Sequence, residues 1–333
     1  METNLLKFIL KKHMFFIRLF SWLFLLILCS CSKDSDGIFE IKPVELADPF
    51  IWAENGIYYA YGTSSRDGIK VFTSSNLVEW YEHKQLALHK SDSYADKWFW
   101  APDMAYNTAS SKYLLYYAAD NHMCVASGDS PLGPFRQNIK EPMSDLNAVD
   151  HTVYKHTDGH TYMFYSTNFE SNYETWVCEL DESGLNIKAE TQKLCFWAEA
   201  PWECEIWPVT EGPYVIEHKG VLYMIYSGSG YKSENYAIGY AYATNPLGPW
   251  KKYEGNPILI KPNCNGTTLF GTGHGSIFTD LEGQLRLVFH AHHSDTEVEP
   301  REMYITSVHF TDHLLPKMYF GNDIIRPFCI GTK

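Results

Sequence analysis

The sequence predicts an all-β protein built as a five-bladed β-propeller, and three observations lead there. One strand–turn–strand pattern occurs five times. The copies are spaced as propeller blades require, and nothing after the first thirty residues shows sustained helical periodicity with caps. Each copy has a polar residue beside a short apolar strand, then a turn, then a second strand usually dense in Tyr and Phe. The first is Asp48 to Trp52, a turn at Glu54-Asn55-Gly56, and Ile57 to Tyr61; the second is Asp103 to Tyr106 with Tyr113 to Tyr117. Asp150 to Tyr154 with Thr161 to Tyr165, Glu211 to Ile216 with Val221 to Tyr226, and His274 to Phe278 with Gln284 to His290 complete the set.

The lead polar residues recur at intervals of roughly 47–63 residues, room for a four-stranded blade of about 40–50 residues plus a loop. Segments late in three repeats echo one another: Asn76 to Trp80, Ser130 to Phe135 and Asn245 to Trp250. Blades are related by rotation, so equivalent inner-strand positions converge on the central channel. Asp48, Asp103, Asp150, Glu211 and His274 are therefore expected to meet near one axial site. Four acids and a histidine are costly to crowd together unless they do chemistry.

The N-terminus reads as an address. Lys7, Lys11, Lys12 and Arg18 precede an apolar run from Leu19 to Leu28, too short for a membrane span of about 20 residues but the length of a signal-peptide core. Leu28-Cys29-Ser30-Cys31 resembles a lipobox, with Cys31 as the lipidated residue. The expected organisation is a signal peptide over 1–30, lipidated Cys31 and a polar tether over 31–40, and one propeller over 41–333. Such a chain would be an exported lipoprotein at the outer membrane or cell surface, with a periplasm-facing anchor as the alternative. Its membrane contact would be through the lipid alone.

The net charge is −13, and loss of the leader removes four cations against one acid. A chain this acidic repels phosphate backbones, which argues against nucleic acid as a partner. A neutral glycan is compatible. The six cysteines after Cys31 form no CxxC or CxxH pair, which argues against structural zinc; Cys195 and Cys204 are either a bridge or buried thiols.

Hydrolysis of a glycosidic bond needs two carboxyl groups in different protonation states, one acid for the leaving oxygen and one base for water. A third carboxylate nearby raises the acid's pKa. The ordered motifs Ala47-Asp48-Pro49-Phe50, Trp100-Ala101-Pro102-Asp103, Val149-Asp150-His151, Thr210-Glu211-Gly212-Pro213 and Gly273-His274-Gly275-Ser276 supply such a set, and on them the chain resembles glycoside hydrolase family 43. The resemblance covers nearly all the chain after the leader. It implies that Asp48 is the general base, Glu211 the general acid and Asp150 the residue that tunes and orients Glu211, in an inverting mechanism. Asp103 is kept outside the catalytic set, as a residue that holds Trp100 in place.

The same resemblance implies that Trp100 is the platform for the sugar ring and that Arg301 lies near acid and substrate. The Arg301 match is looser, because Glu299-Pro300 stands where the family has a small residue. For His274 it implies a place at the channel near one hydrated, structural calcium ion; the other reading is a histidine bonded to its neighbours with no metal. One histidine cannot build a calcium site, since calcium prefers oxygen ligands. Alternation puts His290 and His292 on one face and His293 on the other. Trp202 and Trp207 either rim the pocket or pack in the core.

The resulting expectation is an inverting exo-glycosidase on the side chains of plant-type polysaccharide, with α-L-arabinofuranosides first among its substrates. β-D-Xylosides, galactofuranosides and galactosides are the family's other options. Three alternatives stand beside it: a retaining fructosidase-like hydrolase or a phosphorylase, a surface glycan-binding propeller without catalysis, and a scaffold for protein contacts. The chain has no Arg-Asp-Pro element of the fructosidase type, and the last two need no set of three acids at one centre.

Overall fold

The computed structural model describes residues 40–169 and 172–333; the leader, Cys31 and most of the tether lie outside these residues. The described residues contain no α-helix, only two single 3-10 turns at Lys90–Asp92 and Pro201–Glu203. Five antiparallel sheets follow one another as the blades of a propeller, in agreement with the repeats. Their inner strands are Ala47–Glu54, Trp100–Asn107, Ala148–Lys155, Thr210–His218 and Gly273–Thr279. Each pairs with the strand after its turn, and the sheet continues outward. The first blade is completed by the far end of the chain. Phe328–Thr332 pairs in parallel with Glu79–Glu82, and Lys42–Pro43 pairs with Phe328–Thr332 on its other side.

The second strand of each blade explains the density of large side chains. Successive residues on a strand face opposite sides, and in a propeller both sides are covered by neighbouring blades. Leu115 and Tyr117 pack toward the first blade with Phe50, Tyr61 and Phe99. Leu114 and Tyr116 pack toward the third with Met163, Tyr165 and Cys178. Leu222 and Met224 meet the third blade beside Phe164 and Val177, whereas Tyr223 and Ile225 meet the fifth beside Leu287 and Phe289. A final cluster with Ile51, Tyr58, Trp80, Phe278 and Val288 joins fifth blade to first. The core is thus five seams rather than one centre.

Tyrosine suits these seams because its ring fills the gap while its hydroxyl binds a loop. Tyr61, Tyr116 and Tyr223 donate to the carbonyls of Pro131, Gly184 and Pro316. The outer echoes also have a physical basis. Asn76 Oδ1 accepts from the backbone of Val78 and Glu79, Asn245 Oδ1 from Leu247, and the indoles of Trp80 and Trp250 donate to Leu77 and Pro246 carbonyls.

Every inner strand carries a β-bulge at the same place. Ala47 faces Thr63 while Phe50 faces Tyr61, so two residues of the inner strand oppose one of its partner. The same shift occurs between Trp100 and Asp103, Val149 and Thr152, Glu211 and Tyr214, and Gly273 and Ser276. The first bulged residue is left-handed in all five: Asp48 (φ 48°), Ala101 (42°), Asp150 (57°), Gly212 (60°) and His274 (44°). This register corrects the expected equivalence of the five lead residues. Asp48, Asp150 and His274 are related by the rotation, but Glu211 sits one residue before the bulge position and Asp103 two residues beyond it. The acids differ in register because each motif places its acid differently about the bulge.

Candidate active site

The bulges end regular pairing at one mouth of the channel and turn side chains into it. Asp48, Asp150, Glu211, His274, Trp100 and Arg301 line one cavity of about 210 Å³, together with Val149, Tyr173 and Tyr231. All six residues singled out from the sequence therefore meet. Asp103 is not among them. It faces a narrower axial cavity of about 30 Å³ beneath, room for one or two waters. Its Oδ2 accepts from Thr152 Oγ1 at 2.7 Å and the Val153 amide at 2.8 Å, and Oδ1 from the Met104 amide at 2.8 Å. It thus ties the second blade to the third, and no hydrogen bond joins it to Trp100. Burial raises its pKa to about 6 against these three donors.

Asp48 is held from every side. Arg301 Nη1 donates to its Oδ1 at 2.9 Å and Thr63 Oγ1 to its Oδ2 at 2.6 Å, while its own amide donates to His290 Nδ1 at 3.1 Å. Thr63 Oγ1 also accepts from the Ala101 amide at 3.0 Å, which fixes the hydroxyl between two blades. Burial pushes the Asp48 pKa up, but Arg301, the two histidines and Thr63 together hold it well below the usual carboxylate range. Burial lowers the pKa values of both His274 and His290. The fixed cation is therefore Arg301. Asp48 is an ionised carboxylate at any ordinary pH.

Glu211 lies in the opposite environment. Desolvation and, next among the raising causes, the Asp48 charge lift its pKa to about 7, against the Tyr236 hydroxyl, which donates to Oε1 at 2.7 Å, and Arg301. Asp150 is raised well above the ordinary carboxylate by burial, by Glu211 and by Asp48, with the Gly212 amide and Arg301 opposing. Asp150 and Glu211 also act on one another, since two carboxyls this close disfavour ionising together. Two carboxyls whose surroundings push their pKa values apart are what acid–base division of labour requires.

Several neighbours lie outside the five motifs. Thr63 ends the second strand of the first blade, His290 is fully buried behind Asp48, and Tyr236 stacks on His290 at 5.8 Å. His290 and His292 do face one way, each with a ring nitrogen hydrogen-bonded to a residue of the cavity. His292 Nε2 contacts the Tyr231 carbonyl at 2.7 Å, placing Tyr231 where its ring stacks 4.7 Å from the Arg301 guanidinium. Glu299, the departure from the family pattern, accepts from Arg301 Nε and from its amide, each at 3.1 Å.

Trp202 and Trp207 pack in the body of the fourth blade rather than at the cavity. Trp202 lies 5.6 Å from the ring of Tyr226 and against Gly228; Trp207 covers Gly230. Cys195 and Cys204 are free thiols. Calcium needs six to eight oxygen ligands. The channel carboxylates of Asp48 and Asp103 are already committed to the donors above, and no trio of His, Cys, Asp or Glu among the described residues could hold an ion. A hydrated ion at His274 would take its other ligands from water and carbonyl groups, and no chemical step here runs through a metal.

A propeller whose axial cavity pairs an ionised carboxylate with a protonated one beside aromatic walls defines a glycoside hydrolase of the two-carboxylate class. Residues 41–315 match Glycosyl hydrolases family 43, and the chain belongs to that family. It is similar to the crystal structure of an endo-1,4-β-xylanase from Bacteroides thetaiotaomicron, with TM-score 0.82 and 35% identity over 87% of this chain and 99% of that one. A β-D-galactofuranosidase of Aspergillus niger is 24% identical over 297 residues, 82% of each chain. An extracellular exo-α-(1→5)-L-arabinofuranosidase of Streptomyces chartreusis is 25% identical, covering 74% of this chain and 79% of that one. The chain is an inverting glycosidase, and its substrate is an oligo- or polysaccharide.

Proposed function

We propose that this enzyme removes single terminal α-L-arabinofuranosyl residues from plant-type polysaccharide, with Asp48 as general base, Glu211 as general acid and Asp150 as the residue that orients Glu211. The size of the cavity carries the exo reading. At about 210 Å³ it is smaller than the ~300–1,000 Å³ of sites that enclose drug-sized ligands, and it suits one sugar ring. Trp100 offers that ring a face, Arg301 and Tyr231 a polar wall, and Glu211 a proton for the leaving oxygen. Asp48 draws a proton from water on the opposite side of the anomeric carbon, so configuration inverts. Similarity to an exo-arabinofuranosidase and to a galactofuranosidase supports a furanoside, since these two sugars differ by one hydroxymethyl group.

The likeness to a xylanase favours β-D-xyloside as the second reading. Release of nitrophenol from α-L-arabinofuranoside, β-D-xyloside, β-D-galactofuranoside and β-D-galactoside separates the two. Arabinofuranoside is expected to be cleaved fastest, and Glu211→Gln to lose orders of magnitude in kcat. A faster xyloside would replace the substrate reading, and unchanged turnover by Glu211→Gln would remove the acid. The leader supports a further part of this proposal: an exported protein tethered at the cell surface through Cys31, where it would meet glycan.

A further inference from the structure

A second cavity among the described residues is larger than the catalytic one. It measures about 740 Å³, over three times the 210 Å³ of the catalytic cavity. It opens where the inner strands end, Trp52 lying four residues beyond Asp48 and Lys155 five beyond Asp150. At about 3.3 Å per residue this is roughly 13–17 Å along the strands from the acids. The two cavities therefore occupy opposite mouths of the propeller.

Its walls combine fixed aromatics with charges of both signs. Tyr106 is 43% exposed and rests on Tyr113 at 4.9 Å. Trp52 meets the same Tyr113 edge-on at 6.1 Å, its indole N–H locked to Glu54 Oε2 at 2.9 Å. The Tyr113 hydroxyl donates to Glu54 as well. Glu54 thus holds two of the three rings. On the facing side, Glu179 accepts from His160 Nδ1 at 2.6 Å and from Lys188. Lys155 reaches the same cavity and makes no ion pair with any described residue.

We infer that this cavity is a second saccharide-binding site, which holds a neutral polysaccharide chain on the face opposite the catalytic pocket. The volume lies within the ~300–1,000 Å³ range of ligand sites. An exposed ring held rigid by its neighbours offers a sugar face a platform at little entropic cost. Alternating Lys, His, Asp and Glu groups supply donors and acceptors for hydroxyls. The net charge of −13 disfavours a polyanion. A concave site of this depth fits an extended chain better than the surface of a folded protein. The inference rests on polysaccharide being what the enzyme meets, but not on which sugar is cleaved.

The test is mobility in native gels containing soluble arabinan, arabinoxylan or galactan, beside hydrolysis of an aryl glycoside that reaches only the catalytic pocket. Wild type is expected to be retarded by at least one polysaccharide. Tyr106→Ala combined with Lys155→Ala is expected to weaken that retardation at least tenfold, with kcat/KM on the aryl glycoside within twofold. Tyr106→Phe, which keeps the ring, is expected to restore it. Equal retardation of wild type and the double variant would overturn the site, and so would absence of retardation in all three gels. Failure of the substrate reading appears in the aryl glycoside assay alone, so the two failures remain distinct.

Discussion

Arg301 Nη1 lies 2.9 Å from Asp48 Oδ1, a bond between residues 253 positions apart and between the last blade and the first. Through it the base keeps its charge in a site where burial would otherwise protonate it. An opposite charge this close lowers a carboxyl pKa by about 1–3 units. Arg301→Met is therefore expected to raise the Asp48 pKa into the measurable range. A new acid limb should appear in kcat/KM, with the rate falling about tenfold for each pH unit below the raised pKa. A pH–rate profile that keeps the wild-type acid side would show that Arg301 does not set the charge of Asp48.

On the proposed roles, the alkaline side belongs to Glu211. It must be protonated to act as the acid, and its pKa stands at about 7, so the rate falls as pH rises through that value. The Tyr236 hydroxyl stabilises the ionised form and holds the pKa down. Tyr236→Phe removes it, and the alkaline limb is expected to move upward by about one unit or less, the worth of one hydrogen bond. Movement downward would give the limb to another group.

Gly212 is left-handed at φ 60°, and a Cβ there would stand 3.0 Å from His274 Cδ2 and Cγ. The conformation costs a side-chain-bearing residue roughly 1–2 kcal/mol, and the contact crowds the His274 ring, whose Nδ1 lies 3.4 Å from Asp48 Oδ1. Gly212→Ala is expected to lower the melting temperature by about 2–4 °C and kcat/KM by about tenfold. Thermal unfolding and aryl glycoside kinetics measure the two effects separately.

Glu203 is fully buried, and Lys252 meets its Oε2 at 2.7 Å. The same carboxylate accepts from the Glu199 and Ala200 amides and from Tyr226, while its carbonyl accepts from Val209 and Ser229. This cluster anchors the segment that leads into Glu211. Lys252→Met leaves a buried carboxylate unpaired, and a loss of about 3–5 kcal/mol is expected in denaturant unfolding. KM for the folded enzyme should stay within a factor of two.

The blade count and the six residues of the cavity were legible because a repeat turns distant residues into neighbours once the rotation is assumed. Register was harder. Matching acid to acid aligned Asp103 and Glu211 with Asp48, although the bulge puts Ala101 and Gly212 there. The prolines carried the better signal: Pro49, Pro102 and Pro213 each follow the left-handed residue. Thr63, Tyr236 and Tyr231 could not be found this way. They act from partner strands and loops whose approach to the axis depends on packing between blades, which no local motif encodes.

The strand Phe328–Thr332, laid beside Glu79–Glu82 and clasped by Lys42–Pro43, sets the order in which the enzyme can become active. Four blades can form as the chain emerges, but the first stays short of its outer edge until the final residues arrive. The seam this strand seals is the one across which Asp48 meets His274, His290 and Arg301. Pairings that span nearly the whole chain form slowly. Catalytic competence is then acquired last, at ring closure, and first turnover on an aryl glycoside becomes a clock for the completion of folding.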